Sequence, residues 1–201
     1  MVSQNRIRPE RDNQRERRIL FFQGFLKKPG VVGSVIPSSR YLERRIVKEA
    51  DLASAKLVVE LGPGVGGTTH AILRAMPVDG KLLSIEINAD FVPALRRIPD
   101  PRLIVHEGSA VDLASILASH GLGAPDVVLS GIPFSTMKPE LGRAIVRAVS
   151  DCLRPGGRFV AYQVRDRVEK LGREVFGPAA VALELRNVPP MRVYRWEKRG
   201  A

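Results

Sequence analysis

The fold of this chain is decided by Leu57-Val58-Val59-Glu60-Leu61-Gly62-Pro63-Gly64-Val65-Gly66-Gly67, an apolar run that leads directly into a glycine-rich loop. The run predicts a buried parallel strand over 57–61. Glycines at 62, 64 and 66 let the backbone turn tightly and approach a bound molecule without a side-chain clash. A helix predicted from Thr68 to Met76 follows. Strand, glycine loop and helix in this order are typical of a ligand crevice at the carboxyl ends of parallel strands.

Alternating strand and helix patterns continue along the rest of the chain. Apolar runs predict strands over 81–87, 102–106, 126–130 and 158–163, with helices over 90–97, 111–119, 139–153 and near 168–176. Two closing runs, 181–188 and 191–196, predict an antiparallel hairpin joined through Pro189-Pro190. The alternation predicts a doubly wound α/β fold with right-handed crossovers.

The composition excludes several classes of protein. At 201 residues and 44% hydrophobic, the chain is long and apolar enough for one domain with a buried core. No stretch free of Asp, Glu, Lys and Arg reaches the roughly 20 residues of a transmembrane helix, and the polar, Arg-rich N-terminus is unlike a secretory signal. One cysteine, Cys152, and three scattered histidines (His70, His106 and His120) argue against a disulfide and a metal centre. A reducing cytoplasmic setting is expected.

The charge is concentrated near the N-terminus. The chain contains 32 Lys and Arg against 21 Asp and Glu, which gives a net charge of +11, and its first 50 residues hold twelve basic and five acidic side chains. This distribution favours an anionic partner, either a lipid surface or a nucleic acid. The alternative is a basic surface with no particular partner.

Two acidic residues near the glycine loop indicate which ligand it binds. Glu86 ends the second predicted strand, where a carboxylate is placed to accept hydrogen bonds from ribose hydroxyls. Gly62, Gly64 and Gly67 also satisfy a dinucleotide-binding pattern, whereas a phosphate loop is disfavoured because no Lys-Ser/Thr pair follows the glycines. Glu60 would repel a pyrophosphate but suits a cofactor with an ammonium and a sulfonium. A tight turn without any ligand is the structural alternative.

With these features the sequence resembles the class I S-adenosylmethionine-dependent methyltransferases over residues 30–201. The resemblance implies a Rossmann-like α/β fold with a seven-stranded, mostly parallel sheet and a C-terminal antiparallel hairpin. It also implies S-adenosylmethionine as the cofactor, without a metal, and assigns Gly108-Ser109-Ala110 to its adenine, with Ser109 where many members have Asp. The residues it predicts to bind the cofactor are Gly33, Ser34, Ser38, Ser39, Glu60, Gly62, Gly64, Gly66, Thr68, Glu86, Ile87, Gly108, Ser109, Ala110, Ser130 and Gly131.

The loop after the fourth predicted strand, Ser130-Gly131-Ile132-Pro133-Phe134, narrows the family. Methyltransferases that act on adenine nitrogens have Asn or Asp first in an (N/D)-x-P-(Y/F) loop, because a planar amino group needs a side-chain acceptor and an aromatic to stack on. Here Gly131 has no side chain. The loop is similar to the Ser-Gly-Leu-Pro loop of the bacterial phospholipid N-methyltransferases, with Phe134 where a smaller aliphatic residue is common. Phe25–Arg40 and Arg186–Arg195 are similar to two further signatures of that family.

This second resemblance implies methyl transfer to the amine of phosphatidylethanolamine and its methylated intermediates, towards phosphatidylcholine, at a membrane surface. The runner-up interpretation is an rRNA or other RNA adenine N-methyltransferase, whose basic surface would follow phosphates. A third is a non-enzymatic protein of the same fold that binds anionic membranes. We expect a monomer that attaches peripherally to the inner face of the cell membrane.

The acceptor site is predicted around Tyr162, late in the fifth strand. We expect its hydroxyl, Tyr41 and the backbone carbonyls of residues 131–133, Pro133 included, to orient the amine. Tyr194 and Trp196 are further candidates for an aromatic site around a quaternary ammonium, or else core residues. Lys138 is one candidate for the lipid phosphate, and Ser38 or Ser39 can instead cap a helix over 41–50. The residues predicted to bind substrate are Lys28, Arg40, Phe134, Arg165 and Tyr194.

The N-terminal segment, residues 1–29, is predicted to hold a basic amphipathic helix over 10–28 that precedes a methyltransferase domain over 30–201. An apolar stripe flanked by basic residues is typical of a helix that lies in a membrane interface. The alternatives are a helix that packs on its own domain or on a partner, or one that closes over the cofactor as a lid. The residues predicted to bind the membrane are Arg15, Arg18, Ile19, Phe21, Phe22, Phe25 and Leu26.

Overall fold

The computed structural model describes residues 39–200, which form seven strands and six α-helices in alternation. The predicted N-terminal helix with its membrane-binding residues, as well as Lys28, Gly33, Ser34 and Ser38, lies outside the described residues. The strands are β1 (Leu57–Leu61), β2 (Lys81–Glu86), β3 (Leu103–Glu107), β4 (Val127–Ser130), β5 (Arg158–Gln163), β6 (Ala180–Glu184) and β7 (Met191–Glu197). The helices are α1 (Arg40–Ala50), α2 (Gly67–Ala75), α3 (Val92–Arg96), α4 (Leu113–Ser119), α5 (Pro139–Cys152) and α6 (Arg167–Phe176).

The strands form one sheet in the order β3-β2-β1-β4-β5-β7-β6. Strands β1 to β5 are parallel, and β7 pairs antiparallel with both β5 and β6. The predicted Rossmann-like sheet with its C-terminal hairpin is therefore confirmed. The order reverses between β1 and β4, and in parallel sheets ligands bind beside the carboxyl ends of the strands at such a point. The glycine loop after β1 and the loop after β4 meet at this edge, which we call the carboxyl edge.

Two apolar layers cover the sheet. Every residue of β1 is buried, as expected for a central parallel strand that is covered on both faces. Val58 faces a layer formed by α1 and α2, whereas Val59 faces the layer of α4, α5 and α6. Because side chains alternate along a strand, residues of the same strand reach opposite layers. The same alternation determines which aromatic side chains lie near the glycine loop.

Two predicted elements differ from the structure. The helix predicted over 90–97 is reduced to the five residues of α3, because Asn88 turns the chain by accepting a hydrogen bond from the backbone N–H of Asp90 (3.0 Å). The strand predicted over 181–188 ends at Glu184. There the Glu184 carboxylate accepts bonds from the backbone N–H and Nε of Arg186, both at 3.1 Å, and residues 185–190 form a loop.

The longest helix among residues 39–200 is α5, with 14 residues. No helix in this part of the chain is both long and apolar enough to cross a membrane.

Candidate active site

The glycine loop is tied to the end of β2 by two backbone donors. Gly62 N–H donates to the carbonyl of Ile85 (3.0 Å), and Gly64 N–H donates to Oε2 of Glu86 (2.9 Å). Gly64 has a φ of +60°, and a Cβ built on it would meet no atom of the described residues 39–200 within 4 Å. The loop therefore leaves open space in front of Gly64, at the carboxyl edge of the sheet. This space is where the predicted cofactor would approach the backbone.

Glu60 lies at 1% exposure behind the loop. Its Oε2 accepts hydrogen bonds from Thr69 Oγ1 (2.7 Å) and Ser84 Oγ (2.9 Å). Its Oε1 is buried and has no hydrogen-bond partner among residues 39–200. Burial raises the pKa of Glu60 from 4.5 to about 7, against the lowering effect of the two hydroxyl donors. A buried oxygen without a donor is costly, so this carboxyl group favours a ligand that brings one.

Glu86, at the end of β2, is also buried, and burial raises the pKa of its carboxyl group above the usual value. Its two oxygens accept from the backbone N–H groups of Gly64 and Asn88 (2.9 and 2.8 Å). The carboxylate therefore braces the glycine loop. A carboxylate has about four lone-pair positions, so the predicted contact with ribose hydroxyls stays compatible with this bracing. Ile87 follows directly and is half-buried.

The loop after β4 brings Gly131 against Tyr162. A Cβ built on Gly131 would lie 2.5 Å from the Tyr162 hydroxyl oxygen and 3.0 Å from the carbonyl oxygen of Gly62. The hydroxyl also lies 3.3 Å from Thr68 Oγ1 on α2. The phenol thus fills the volume into which a side chain at position 131 would grow. The structure explains why position 131 is glycine: the Tyr162 hydroxyl and the Gly62 carbonyl occupy the space that a side chain there would need.

Burial, and to a smaller extent the charge of Glu60, raises the pKa of the Tyr162 hydroxyl above its usual value. At neutral pH the group is therefore a neutral phenol, which can donate one hydrogen bond and accept others. It cannot serve as a phenolate base at that pH. The predicted orienting role of Tyr162 is consistent with this state.

The predicted role of the Pro133 carbonyl is corrected by the structure. This oxygen already accepts from the backbone N–H of Thr136 (3.1 Å) and from its Oγ1 (2.7 Å). The Ile132 carbonyl likewise accepts from Gln163 Nε2 (2.6 Å) and from Phe134 N–H (2.9 Å). A carbonyl oxygen has two lone pairs, so both acceptors are occupied by internal donors. Of the predicted acceptors, the Gly131 carbonyl and the Tyr162 hydroxyl remain for an amine.

Two predicted aromatic contacts belong to the core instead. Tyr194 and Trp196 are buried in the layer of α4, α5 and α6, where their rings stack on each other with centroids 5.9 Å apart. Phe134 is completely buried in the same layer. Tyr162, by contrast, packs against the layer of α1 and α2. Phe134 and Tyr194 therefore offer no exposed surface to a substrate, contrary to the prediction.

Tyr41, on the first turn of α1, contacts two guanidinium groups. The Cζ of Arg186 lies 4.2 Å from the ring centroid and that of Arg40 lies 4.9 Å from it. Arg40 also donates to the Tyr41 hydroxyl (2.9 Å). The ring already makes cation–π contacts inside the protein, so the expected contact with a substrate ammonium would require displacing an arginine.

The remaining predicted site residues lie around the same edge. Ser39 caps α1 by accepting from Leu42 N–H (3.2 Å), as the capping alternative predicted. Ser109 caps the short turn that begins at Ala110, beside the half-buried Gly108. Ser130 is buried and its Oγ accepts from Ile132 N–H (3.3 Å). Gly66, with φ +93°, packs against Ile98.

The residues predicted to hold a lipid phosphate, Arg165, Lys138 and Arg40, are exposed. Their contact with a phosphate stays a prediction.

Sequence reasoning missed the residues that hold these groups in place. Thr69 and Ser84 bind Glu60, Asn88 binds Glu86, and the buried Gln163 fixes the loop after β4. One signal was present for Gln163, because a polar residue closes an otherwise apolar strand. The hydroxyl groups of Thr69 and Ser84 gave no such signal in the sequence, because their common partner, Glu60, lies on another element.

The geometry fits S-adenosylmethionine. Within residues 39–200, no donor reaches Glu60 Oε1, Glu86 lies at the end of β2, and no atom of these residues fills the space before Gly64. An ammonium would supply the donor that Oε1 lacks there. When bound, this cofactor supplies an electrophilic methyl group on a sulfonium. Residues 39–200 contain no group of three or more His, Cys, Asp or Glu side chains that could hold a metal ion.

Comparison with known proteins identifies the class. No protein-family model matches the chain. An ornithine lipid N-methyltransferase of Singulisphaera acidiphila is 33% identical over 178 residues, which cover 87% of this chain and 93% of that enzyme. The chain belongs to the class I S-adenosylmethionine-dependent methyltransferases, within the family of this lipid N-methyltransferase. Its cofactor is accordingly S-adenosylmethionine. The predicted class and the predicted cofactor are therefore both confirmed.

Two further comparisons are more distant. A ribosomal RNA small subunit methyltransferase A from Parasynechococcus marenigrum is 31% identical over 147 residues, but these cover 70% of this chain and 47% of that enzyme. The chain thus spans about half of that relative. The structure of the N-methyltransferase NodS from Bradyrhizobium japonicum, in complex with S-adenosyl-L-homocysteine, superimposes with a TM-score of 0.65 at 12% identity, over 89% of this chain and 98% of that one. This last likeness supports the fold.

Proposed function

We propose that this chain transfers a methyl group from S-adenosylmethionine to the primary amine of a membrane lipid. The observation that carries the proposal is the packing of Tyr162 against Gly131, whose Cβ, if it had one, would lie 2.5 Å from the phenol oxygen. This packing removes the side-chain acceptor that adenine-specific enzymes place first in this loop. The relative that matches along nearly its whole length is named for a lipid amine substrate.

The acceptor favoured by this site is a flexible alkyl amine rather than a planar base. Phe134, the residue that would stack on a base, is completely buried in the core. An alkyl amine needs no stacking surface, and its neutral form presents N–H donors. The Tyr162 hydroxyl and the Gly131 carbonyl can accept these donors and thereby direct the nitrogen lone pair. Both features act against the RNA interpretation and in favour of the lipid.

The amine must lose a proton before its lone pair is available. Because Tyr162 is a neutral phenol, it orients the amine but does not deprotonate it. A cationic neighbour disfavours a second positive charge and lowers the pKa of an ammonium. In this proposal the proton leaves to solvent as the amine enters a site that already holds a sulfonium, and the pocket supplies no strong base.

Phosphatidylethanolamine is the proposed substrate, with methylation continuing towards phosphatidylcholine at the cytoplasmic face of the membrane. The basic N-terminal segment, with eight basic and three acidic side chains in residues 1–29, supports attachment to an anionic leaflet. Ornithine lipid is the second candidate, because the relative at 33% identity is named for it. Both lipids carry a primary amine, which is the group that the proposed contacts with Tyr162 and Gly131 require.

The test is an incubation of the full chain with methyl-labelled S-adenosylmethionine and three separate acceptors. These are vesicles with phosphatidylethanolamine, vesicles with ornithine lipid, and ribosomal RNA stripped of protein. Label in one of the lipids supports the proposal and names the substrate. Label in RNA alone contradicts it. Vesicles of phosphatidylglycerol, which has no amine, are the control for nonspecific labelling.

A further inference from the structure

A cluster of exposed apolar side chains lies on the C-terminal hairpin. Seven large hydrophobic residues are exposed among residues 39–200, and Val181, Leu183, Leu185 and Val188 of these lie on β6 or in the loop that follows it. The two in the loop are 71% (Leu185) and 86% (Val188) exposed. Single exposed apolar residues are ordinary, but a contiguous group of them marks an interaction surface. We call residues 185–190 the hairpin loop.

The hairpin loop lies at the carboxyl edge, as the active site does, with β5 and β7 between β6 and β4. Both β5 and β6 run antiparallel to β7, so β6 points in the same direction as β5. The loop after β6 therefore emerges at the same edge as Gln163, which closes β5. Val164, the next residue along from Gln163, is exposed there as well, and Arg192 donates to its carbonyl oxygen (2.8 Å). The apolar cluster and the acceptor site face the same side of the molecule.

The loop is held in a defined shape. Asn187 is buried, accepts a bond from the backbone N–H of Ser39 (3.1 Å) and donates one to the carbonyl of Pro189 (2.9 Å). Arg186 stacks on Tyr41 of α1. These contacts anchor the polar residues of the loop on the start of α1, while Leu185 and Val188 face outward. The basic segment that precedes Ser39 thus joins the fold next to the hairpin loop.

The charge around the loop is complementary to an anionic surface. The hairpin loop and the first two residues of β7, residues 185–192, contain two arginines, Arg186 and Arg192, and no acidic residue. Arg186 pairs with the buried Glu184, but Arg192 bonds to a backbone carbonyl, which does not neutralise its charge. Arg165 is exposed at the same edge. Apolar side chains among basic ones match the boundary between the headgroups and the acyl chains of a bilayer.

We infer that the hairpin loop inserts Leu185 and Val188 into an anionic bilayer and thereby turns the carboxyl edge toward the lipid headgroups. The inference rests on the proposed lipid substrate and adds a second membrane contact to the N-terminal segment. The loop sets the orientation of the active site, so that an amine headgroup reaches it without leaving the membrane.

The test uses tryptophan as a depth reporter in the full chain. The only native tryptophan, Trp196, is 2% exposed and lies in the core. Val188→Trp places a second one in the hairpin loop. Val78→Trp is the matched control, because Val78 is 91% exposed just before β2, at the opposite edge of the sheet. Vesicles of phosphatidylglycerol and phosphatidylethanolamine with brominated acyl chains quench only an indole that reaches the acyl region.

We expect quenching of Val188→Trp and none beyond the wild-type level for Val78→Trp. Three other results overturn the inference. Emission of Val188→Trp that is blue-shifted before vesicles are added, and does not respond to them, shows that the chain's own N-terminal segment covers the loop. A blue shift that depends on protein concentration shows a second copy of the chain on this surface. Equal quenching at both positions also contradicts an oriented attachment.

A second measurement separates this inference from the proposed function. Leu185→Ser with Val188→Ser should reduce partitioning onto anionic vesicles by roughly 100-fold, from the lost burial of two side chains, and Val78→Ser should not. Methyl transfer to detergent-dispersed lipid should be retained in both variants. Transfer that fails in detergent for the wild-type chain contradicts the proposed function. Unchanged partitioning of the double variant contradicts the insertion of the loop alone.

Discussion

Gly64 and Gly131 lie at the same edge of the sheet, one in the loop after β1 and the other in the loop after β4, yet they are glycines for opposite reasons. A Cβ on Gly64 would meet nothing within 4 Å in the part of the chain that the structure describes, but the backbone there has φ +60°, which disfavours other residues. A Cβ on Gly131 would meet the Tyr162 hydroxyl at 2.5 Å, and no positive φ is found there.

This difference assigns the two loops to different partners. The empty space at Gly64 is available to a ligand, which fits the cofactor. The space at Gly131 is already occupied by the protein, which uses it to place a neutral hydroxyl beside the acceptor loop. A glycine in a sequence motif therefore reports close approach, but only the surroundings show whether a ligand or a side chain approaches.

The largest effect is expected from Gly64→Val. A β-branched residue is strained at φ +60° and its side chain enters the open space before the loop. We expect at least a roughly 100-fold loss of affinity for S-adenosylhomocysteine in a calorimetric titration, of the order seen when ligand contacts worth a few kcal/mol are lost. Gly67→Ala is the control, because Gly67 also has open space but no positive φ. Unchanged affinity in Gly64→Val would contradict the assignment of this loop to the cofactor.

The next largest effect is on the free energy of unfolding of the ligand-free chain, which Glu60 makes dependent on pH. Because burial raises its pKa from 4.5 to about 7, the folded chain keeps a proton in this window that the unfolded chain has lost. The stability contributed by this group is greatest below pH 4.5, falls as the pH rises to 7, and is constant above. The loss is about 3 kcal/mol, at about 1.4 kcal/mol per pKa unit.

Glu60→Gln should remove this contribution, because an amide does not titrate and its oxygen can still accept from Thr69 and Ser84. Denaturant unfolding between about pH 5 and 8 should therefore show the wild-type chain losing stability relative to the variant. A constant difference between the two chains across this range would show that Glu60 is ionised throughout.

A smaller effect is expected on the free energy of unfolding, which should respond differently to substitution of Gly131 and of Gly64. Gly131→Ala should cost about 1–3 kcal/mol, as overpacking does, because its Cβ meets the Tyr162 hydroxyl. In a Tyr162→Ala background the cost should fall, although the contact with the Gly62 carbonyl at 3.0 Å remains. Gly64→Ala should cost about 1 kcal/mol from backbone strain, with or without Tyr162. Free energies of unfolding for the double-mutant cycles measure the coupling of each glycine to Tyr162. Equal coupling at both positions would contradict the conclusion that Tyr162 occupies the space beside Gly131 and not that beside Gly64.

The smallest effect is expected from Tyr162→Phe. Loss of one orienting hydrogen bond of about 1 kcal/mol should reduce kcat/KM for the lipid by roughly 5- to 10-fold, while affinity for S-adenosylhomocysteine changes little. Because the phenol is neutral at pH 7, the shape of the pH–rate profile should be the same in both chains. A profile that loses a limb in Tyr162→Phe would show that the hydroxyl transfers a proton, contrary to the orienting role.

The parts of the fold that were predicted correctly depend on local patterns. The apolar run of β1, the glycines after it and the acidic residue that closes β2 lie within one strand–helix–strand unit, so chain order alone brings them to one edge. The aromatic residues were predicted less well. Tyr162 and Tyr194 both lie on strands near this edge, but they face opposite layers of the sheet.

The sequence by itself determined the class of enzyme, the cofactor loop and the absence of a side chain at position 131. These follow from residue types at fixed spacing along one chain. Only the tertiary structure decided that Tyr162 fills the space beside Gly131, that Tyr194 and Phe134 belong to the core, and that Asn187 holds the hairpin loop against Ser39. The physical reason is that each of these contacts joins elements far apart in sequence. Which side chains meet there is set by strand order, register and the face of the sheet, and none of these is encoded in a local pattern.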